Sequence, residues 1–476
     1  MTFYFYDLET SGFSARNDRI MQFAGQRTDL ELNPVGQPDN ILIKMTPDIL
    51  PQPDAVLVHG ITPQKTLADG ISEAEFTKYL TSQVFTPDTI NVGYNNLRFD
   101  NEFIRFTFWR NFHDAYEWCW REGCSTWDLL DVVRMTRALR PDGIKWPFAP
   151  DGKPSNKLEY LSSVNKLDHA DAHDALSDVK ASIAVAKLIR KNQPKLFEYL
   201  LIHRDKKKII PLVTSGQPVV YTSGRYPSEF QKTTVAVMVA ENETKSGALM
   251  YDLRIDPDEF SGLSASELAK RWSARGESAP YFPVKLLSYN KCPAIAPMNV
   301  LDDASAERLQ LHKELLDNHL KKLKKAADFG DKLLKTMDMM WPKRKVELMA
   351  NPQTVDSQLY DGFINDDDRT RASAVRAAGA DGISKPGLEF KDQRLNALLP
   401  LYKARNFPKT LSDSETKAWE SFRRQKLLDG GDSSKTANFF NRLDELAKTP
   451  GMDQPKQYIL EELNLYAQSV LPIPED

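Results

Sequence analysis

TFYFYDLE, residues 2–9, decides the reading of the chain: a run of aromatic residues ends in two acids, Asp7 and Glu9, set two apart. Aromatic and β-branched residues favour a pleated strand. In a strand successive side chains alternate, so Asp7 and Glu9 project from one face with their carboxylates a few ångströms apart. Two like charges that close call for a counter-charge, which a cation supplies. Working outward, residues 20–27, 41–45 and 89–94 read as further strands, with turn residues between them. Residues 71–85, 102–111, 125–139 and 174–191 have helical spacing, the last with Ala175, Val179, Ile183, Ala186 and Ile189 along one face. A strand-first, helix-later α/β layout follows. In such sheets sites form at the carboxyl ends of strands, which is where the two acids stand.

At 476 residues the chain is long enough for about three domains. Its 41% hydrophobic and 27% charged residues exclude disorder, collagen and coiled coil as descriptions of the whole. No apolar run approaches the roughly 20 residues of a membrane span, and the apolar start runs straight into Asp7 and Glu9, so a cytoplasmic protein with no membrane association is expected. Three cysteines are too few for a disulfide framework and fit a reducing compartment. The net charge of −3 argues against a uniformly basic nucleic-acid binder, although an acidic first third adjoins a basic middle third. Residues 1–195 are assigned to the α/β domain. Short β-like runs at 219–222, 234–239, 249–253 and 283–288 make 196–350 a small β-rich middle domain with a helical extension, and 351–476 read as all helix. Capping boxes stand at Ser264 with Glu267 and at Ser412 with Glu415.

Two further segments carry candidate chemistry. GYNNLRFD, residues 93–100, is a strand end followed by an acid that opens a helix, and Asp100 taken alone reads equally well as a helix N-cap. HDALSD, residues 173–178, places His173 before a strongly patterned helix and Asp178 near its buried side, where an acid is costly unless paired or bound to metal. Singly, each has a bland alternative. Together, four carboxylates from three separated segments and a histidine match what two-metal phosphodiester hydrolysis requires. Hard ions such as Mg²⁺, with Mn²⁺ as a substitute, prefer oxygen ligands, and two of them can serve one in-line displacement. His173 can accept the water proton near neutral pH.

Asp-x-Glu, then Asn96 to Asp100 as Asn-x-x-Phe-Asp, then His173 to Asp178 resemble the DEDDh exonucleases, and within them the bacterial exonuclease I family. YDLETSG, LPQPDAVLVHGITPQ, GYNNLRFDNEF, WDLLDVVR and AHDALSDV look like that family's nuclease domain; VKLLSYNKCP, DSQLYDGF and ARNFP look like its later parts. The resemblance implies an RNase H-like nuclease domain, an SH3-like middle domain and a helical C-terminal domain. It implies Mg²⁺-dependent, processive 3′→5′ release of 5′-mononucleotides from single-stranded DNA, in DNA repair and recombination, by a monomer. Position by position, Asp7, Glu9 and Asp178 would hold metal, Asp100 would complete the cage and His173 would be the base. Glu9 and Thr10 would lie near the terminal nucleotide, and Lys157 would meet phosphate where the family is expected to carry Arg.

Between residues 103 and 120 eight aromatics interleave with Arg105 and Arg110, a mixture that single-strand binders use, although most of the eight are expected in the core. Following the family, Arg105, Tyr116, Trp120 and Arg134 are expected to contact DNA, with Lys206 along the same path. Arg140 and Tyr199 are expected to meet the acidic C-terminal tail of single-stranded DNA-binding protein. The rival readings are an RNA-trimming or proofreading exonuclease and a non-catalytic nucleic-acid clamp.

Overall fold

Phe3 and Phe5 on one face, and Tyr4 and Tyr6 on the other, are all buried, so the first strand is covered on both sides and sits at the centre of its sheet. In the computed structural model this strand, β1 (Thr2–Thr10), pairs antiparallel with β2 (Ile20–Thr28) and parallel with β4 (Thr89–Gly93), while β3 (Asp39–Leu42) pairs with β2 on the far side. The structure describes residues 1–167, 174–276, 279–349, 354–383 and 389–472. These fall into two units: residues 1–125 with 170–180 and 353–476, and residues 126–169 with 181–352.

In the first unit β1 runs on beyond Glu9 to Thr10, because β2 continues to offer partners as far as Ile20. Helix Asp100–Arg110 follows β4 and is packed on two sides. Phe103, Ile104 and Phe108 join the core beneath the sheet with Phe23 and Phe76. Phe106, Trp109 and Phe112 join a second core with Val375, Leu395, Leu398 and Tyr402 of the C-terminal helices. Those helices are Asp366–Gly382, Gln393–Asn406, Asp413–Leu428, Lys435–Ala447 and Gln454–Val470. The capping box at Ser412 and Glu415 is formed. Helix Pro53–His59, which opens on a proline, buries Val56 against Leu460, Leu463 and Tyr466.

The predicted helix over 125–139 is corrected at its start. Residues 125–128 form a strand, β5 (Ser125–Asp128), and the helix is Leu129–Leu139, with the Asp128 side chain accepting from the Leu130 N–H as its cap. The second unit holds an antiparallel sheet of β6 (Val219–Thr222), β7 (Thr233–Glu241), β8 (Gly247–Asp252), β9 (Val284–Ser288) and β10 (Ala294–Pro297), in the order β10-β6-β7-β8-β9. β10, four residues ending in proline, was not expected from the sequence. The capping box at Ser264 and Glu267 starts helix Ala265–Ser273. Among the described residues no helix is long and apolar enough to cross a membrane.

Candidate active site

The pleat of β1 and the register of its neighbours build the site. Asp7 and Glu9 leave the same face of β1, and a bulge between Glu9 and Thr10 ends the regular pairing just beyond them. β4 runs parallel beside β1, so the chain leaving Gly93 turns next to the acids. A Cβ on Gly93 would lie 2.6 Å from Cβ of Asn96, so only glycine permits this close turn. The Tyr6 hydroxyl donates to Oδ1 of Asn101, Nδ2 of Asn96 approaches the same hydroxyl at 3.4 Å, and the Asn101 N–H donates to the Asn96 carbonyl at 2.9 Å. Tyr6 of β1 thus anchors the first turn of helix Asp100–Arg110. Phe99 occupies the cap position, and Asp100 is the first helical residue rather than the cap. Helix Ala175–Asn192 presents Asp178 in its first turn.

Asp7, Glu9 and Asp178 each bring a carboxylate oxygen to within 4.8 Å of the others, and among the described residues no other such group of three potential ligands forms. Burial, then Asp100, Asp178, Glu9 and Asp174, push the Asp7 carboxyl well above the usual carboxylate range. Burial, then Asp178, Asp100 and Asp174, push Glu9 up to about 8. Asp100, itself buried, thereby belongs electrostatically to the same cluster. Mutually repelling oxygen donors with no sulfur ligand fit hard divalent cations, which would restore ionisation on binding. Divalent-metal affinity is therefore expected to climb as pH rises and to level off above about 8 for the proton on Glu9. Mn²⁺ titration calorimetry in buffers of different ionisation enthalpy should register proton release below that pH; equal heats in all buffers would refute the coupling.

His173 lies outside the described residues. Thr10 is buried on β1 and donates to the Gly12 carbonyl at 2.7 Å. Of the eight aromatics at 103–120, six are buried, as expected of core; Tyr116 is half-buried and Trp120 is exposed. Arg105 pairs with Glu102 at 2.6 Å and lies 5.4 Å from the Tyr116 ring. In the second unit Arg134 pairs with Asp131 at 2.6 Å and keeps a buried Nε with no hydrogen-bond partner among the described residues. Lys157 is exposed beside Glu159, and Lys206 is exposed at the first position of helix Lys206–Thr214. Arg140 is already engaged by Asp302 at 3.1 Å and the Val300 carbonyl at 2.7 Å. Tyr199 stacks on His203 at 3.8 Å between ring centroids.

Two residues at the cluster escaped the sequence reading. Asp174 is a fifth carboxylate acting on both Asp7 and Glu9, and Gln22 stands opposite Glu9 on β2. Asp174 was legible as the polar residue before a patterned helix; Gln22 required the strand register.

Family models match three successive stretches of the chain: exonuclease over residues 4–186, exonuclease I SH3-like domain over 204–338 and exonuclease I C-terminal domain over 353–470. The exodeoxyribonuclease I of Haemophilus influenzae is 38% identical over 478 residues, covering 99% of this chain and 99% of that protein. Among solved structures, Escherichia coli exonuclease I in complex with a dA16 oligonucleotide superposes with a TM-score of 0.91 at 37% identity, over 98% of this chain and 99% of that one. A zinc-bound form of the E. coli enzyme with single-stranded DNA gives a TM-score of 0.90 at 37% identity and the same coverage. A structure of SSB and exonuclease I in complex with an inhibitor gives 0.87 at 37% identity, again over 98% and 99%.

Proposed function

The chain belongs to the exonuclease I family and is an exodeoxyribonuclease, and from that premise we propose that it removes 5′-mononucleotides from the 3′ end of single-stranded DNA by Mg²⁺-dependent hydrolysis. The observation that carries the reading is the meeting of Asp7, Glu9 and Asp178 within 4.8 Å, beside buried Asp100. Asp7, Glu9, Asp100 and Asp178 would hold two divalent ions, which when bound supply positive charge to polarise the scissile phosphate and its attacking water. Glu9 and Thr10, at the end of β1, flank the terminal nucleotide. His173, one residue before Asp174, takes the proton of the attacking water. Arg105, Tyr116 and Trp120 offer cation and aromatic faces to the strand, and Arg134, Lys157 and Lys206 offer charge to its phosphates. Arg140 and Tyr199 receive the acidic tail of single-stranded DNA-binding protein, in keeping with the SSB complex of a relative. The enzyme would act as a cytoplasmic monomer in repair and recombination.

The test offers 3′-labelled single-stranded DNA, duplex DNA and RNA to the full chain, with Mg²⁺ or with EDTA. Mononucleotide release from single-stranded DNA alone, abolished by EDTA, is the expected result. Preferential cleavage of RNA, or undiminished cleavage in EDTA, overturns it. In the same assay His173→Ala should lower turnover about 10²- to 10⁴-fold, the usual worth of a positioned proton acceptor, while strand affinity stays within a few fold.

A further inference from the structure

The carboxylates of the active site come from parts of the chain that nothing nearby in sequence holds together. Asp7 and Glu9 belong to the sheet, whereas Asp178 arrives on the first turn of a helix some 170 residues later. Their mutual repulsion drives these parts away from each other. What fixes the helix end against the sheet is therefore a physical question, and Gln22 answers it.

Gln22 faces Glu9 directly across the β1–β2 ladder, and the residue facing Asp7 is the apolar Ala24. Gln22 is 6% exposed. Its side-chain Nε2 donates to Oδ1 of Asn40, on the neighbouring β3, at 2.9 Å, and reaches Oδ1 of Asp174 at 3.4 Å. The other carboxylate oxygen of Asp174 accepts the Ser177 N–H at 3.1 Å, and its carbonyl accepts the Asp178 N–H at 3.0 Å. Asp174 therefore caps the helix that carries Asp178 and directly follows His173. Asn40 holds one hydrogen of the Gln22 amide and so aims the other at this cap.

We infer that Gln22 is a positioning residue which, through Asp174, holds the start of the Asp178 helix in register with β1. The choice of amide follows from charge. Lys or Arg at position 22 would neutralise the carboxylates and compete with the divalent ions; Glu would set another negative charge directly across the ladder from Glu9. A neutral donor binds Asp174 and leaves the field of the cage to the metal.

The inference rests on the active-site reading above, and the experiment separates the two. Mn²⁺ affinity is measured by calorimetry on the EDTA-treated full chain, as wild type, Gln22→Met, Gln22→Glu, Asp174→Ala and the Gln22→Met/Asp174→Ala pair. Met preserves length and burial, so it spares the fold. Q22M is expected to weaken Mn²⁺ binding about 10- to 100-fold, the usual loss on removing a group that orients metal ligands, and Q22E to weaken it at least as much. Single-stranded DNA affinity without metal should stay within twofold. The double variant should lose no more than D174A alone, because Gln22 acts through Asp174. Hydrogen exchange of the amides at 177 and 178 in the metal-free chain should quicken in Q22M. Wild-type affinity in Q22M, multiplied losses in the double variant or unchanged exchange would each overturn the role of Gln22. Wild type that neither binds Mn²⁺ nor degrades single-stranded DNA would instead sink the active-site reading.

Discussion

Asp178→Ala is expected to lower single-turnover hydrolysis of single-stranded DNA by about a thousandfold or more. Divalent ions contribute several kcal/mol to the transition state of phosphoryl displacement, and each 1.36 kcal/mol is a factor of ten in rate. Asp178 is the one member of the 4.8 Å cluster that the helix provides, so its loss leaves Asp7 and Glu9 alone on the strand. The informative companion is Asp178→Asn without metal. In the folded, metal-free chain the Glu9 pKa is about 8, raised first by burial and then by Asp178. A raised carboxylate pKa means the folded state binds the proton more tightly than the unfolded one. Stability from this group is then complete below the unfolded value near 4.5 and is lost as pH rises through about 8. Neutralising Asp178 removes part of the cause. In EDTA at a pH above 8, D178N should therefore unfold a few degrees above wild type while being inactive with Mg²⁺. A D178N chain that is both inactive and less stable across the whole pH range would show that Asp178 serves packing rather than a cation.

The parts of this site that depend on local periodicity were legible in the sequence, and the parts that depend on register were not. Asp7 and Glu9 could be paired because a strand repeats every two residues, and Asp178 could be turned inward because Ala175 and Val179 flank it on an apolar stripe. The dense aromatics at 103–120 were ambiguous for a structural reason: helix Asp100–Arg110 lies between two cores, so both of its faces read as apolar. The helices Pro53–His59 and Pro63–Asp69 went unread because each starts at a proline in a segment rich in turn residues, although proline suits the first helical position. β5 was absorbed into the following helix because its Trp127 and the helix residues Leu129 and Leu130 form one apolar run; the switch falls at Asp128, where the side chain caps. Gln22 carries no local signal, since its partners Asn40 and Asp174 are 18 and 152 residues away.

The largest stability effect is expected from a cluster that is equally invisible in the sequence. Arg405, on helix Gln393–Asn406, grips Asp356 with two hydrogen bonds of 2.7 Å and Asp48 with one of 2.8 Å. Arg19 reaches Asp356 at 3.0 Å, Lys426 reaches Asp48 at 2.5 Å, and Arg110 holds Glu73 at 2.8 Å. All these side chains are buried. Although burial alone would raise them, Arg405 first, then Lys426 and Arg19, hold the Asp48 carboxyl well below the ordinary range; Arg405 and then Arg19 do the same for Asp356. The cluster joins residues of the sheet region to the C-terminal helices within one unit. It also reaches the strand that carries Asp7 and Glu9, because Arg19 and Ser11 exchange two hydrogen bonds of 2.8 Å just beyond Glu9. Arg405→Met keeps the aliphatic stem and deletes the charge, leaving two aspartates buried with too few partners. Breaking a buried pair in this way costs about 3–5 kcal/mol, so the apparent Tm should fall by about 10 °C, at the 2–4 °C per kcal/mol of a domain this size. Lys426→Met should cost far less. Burial has already lowered the Lys426 ammonium to about 8, so above that pH little charge is lost with it. Arg405 retains its grip on both aspartates in that variant. Comparable losses in the two variants, measured by denaturant and thermal unfolding at pH 8.5, would mean that the cluster acts as undifferentiated charge rather than through the fork of Arg405. A fall in R405M alone would place the coupling between sheet and C-terminal helices on one guanidinium and two carboxylates.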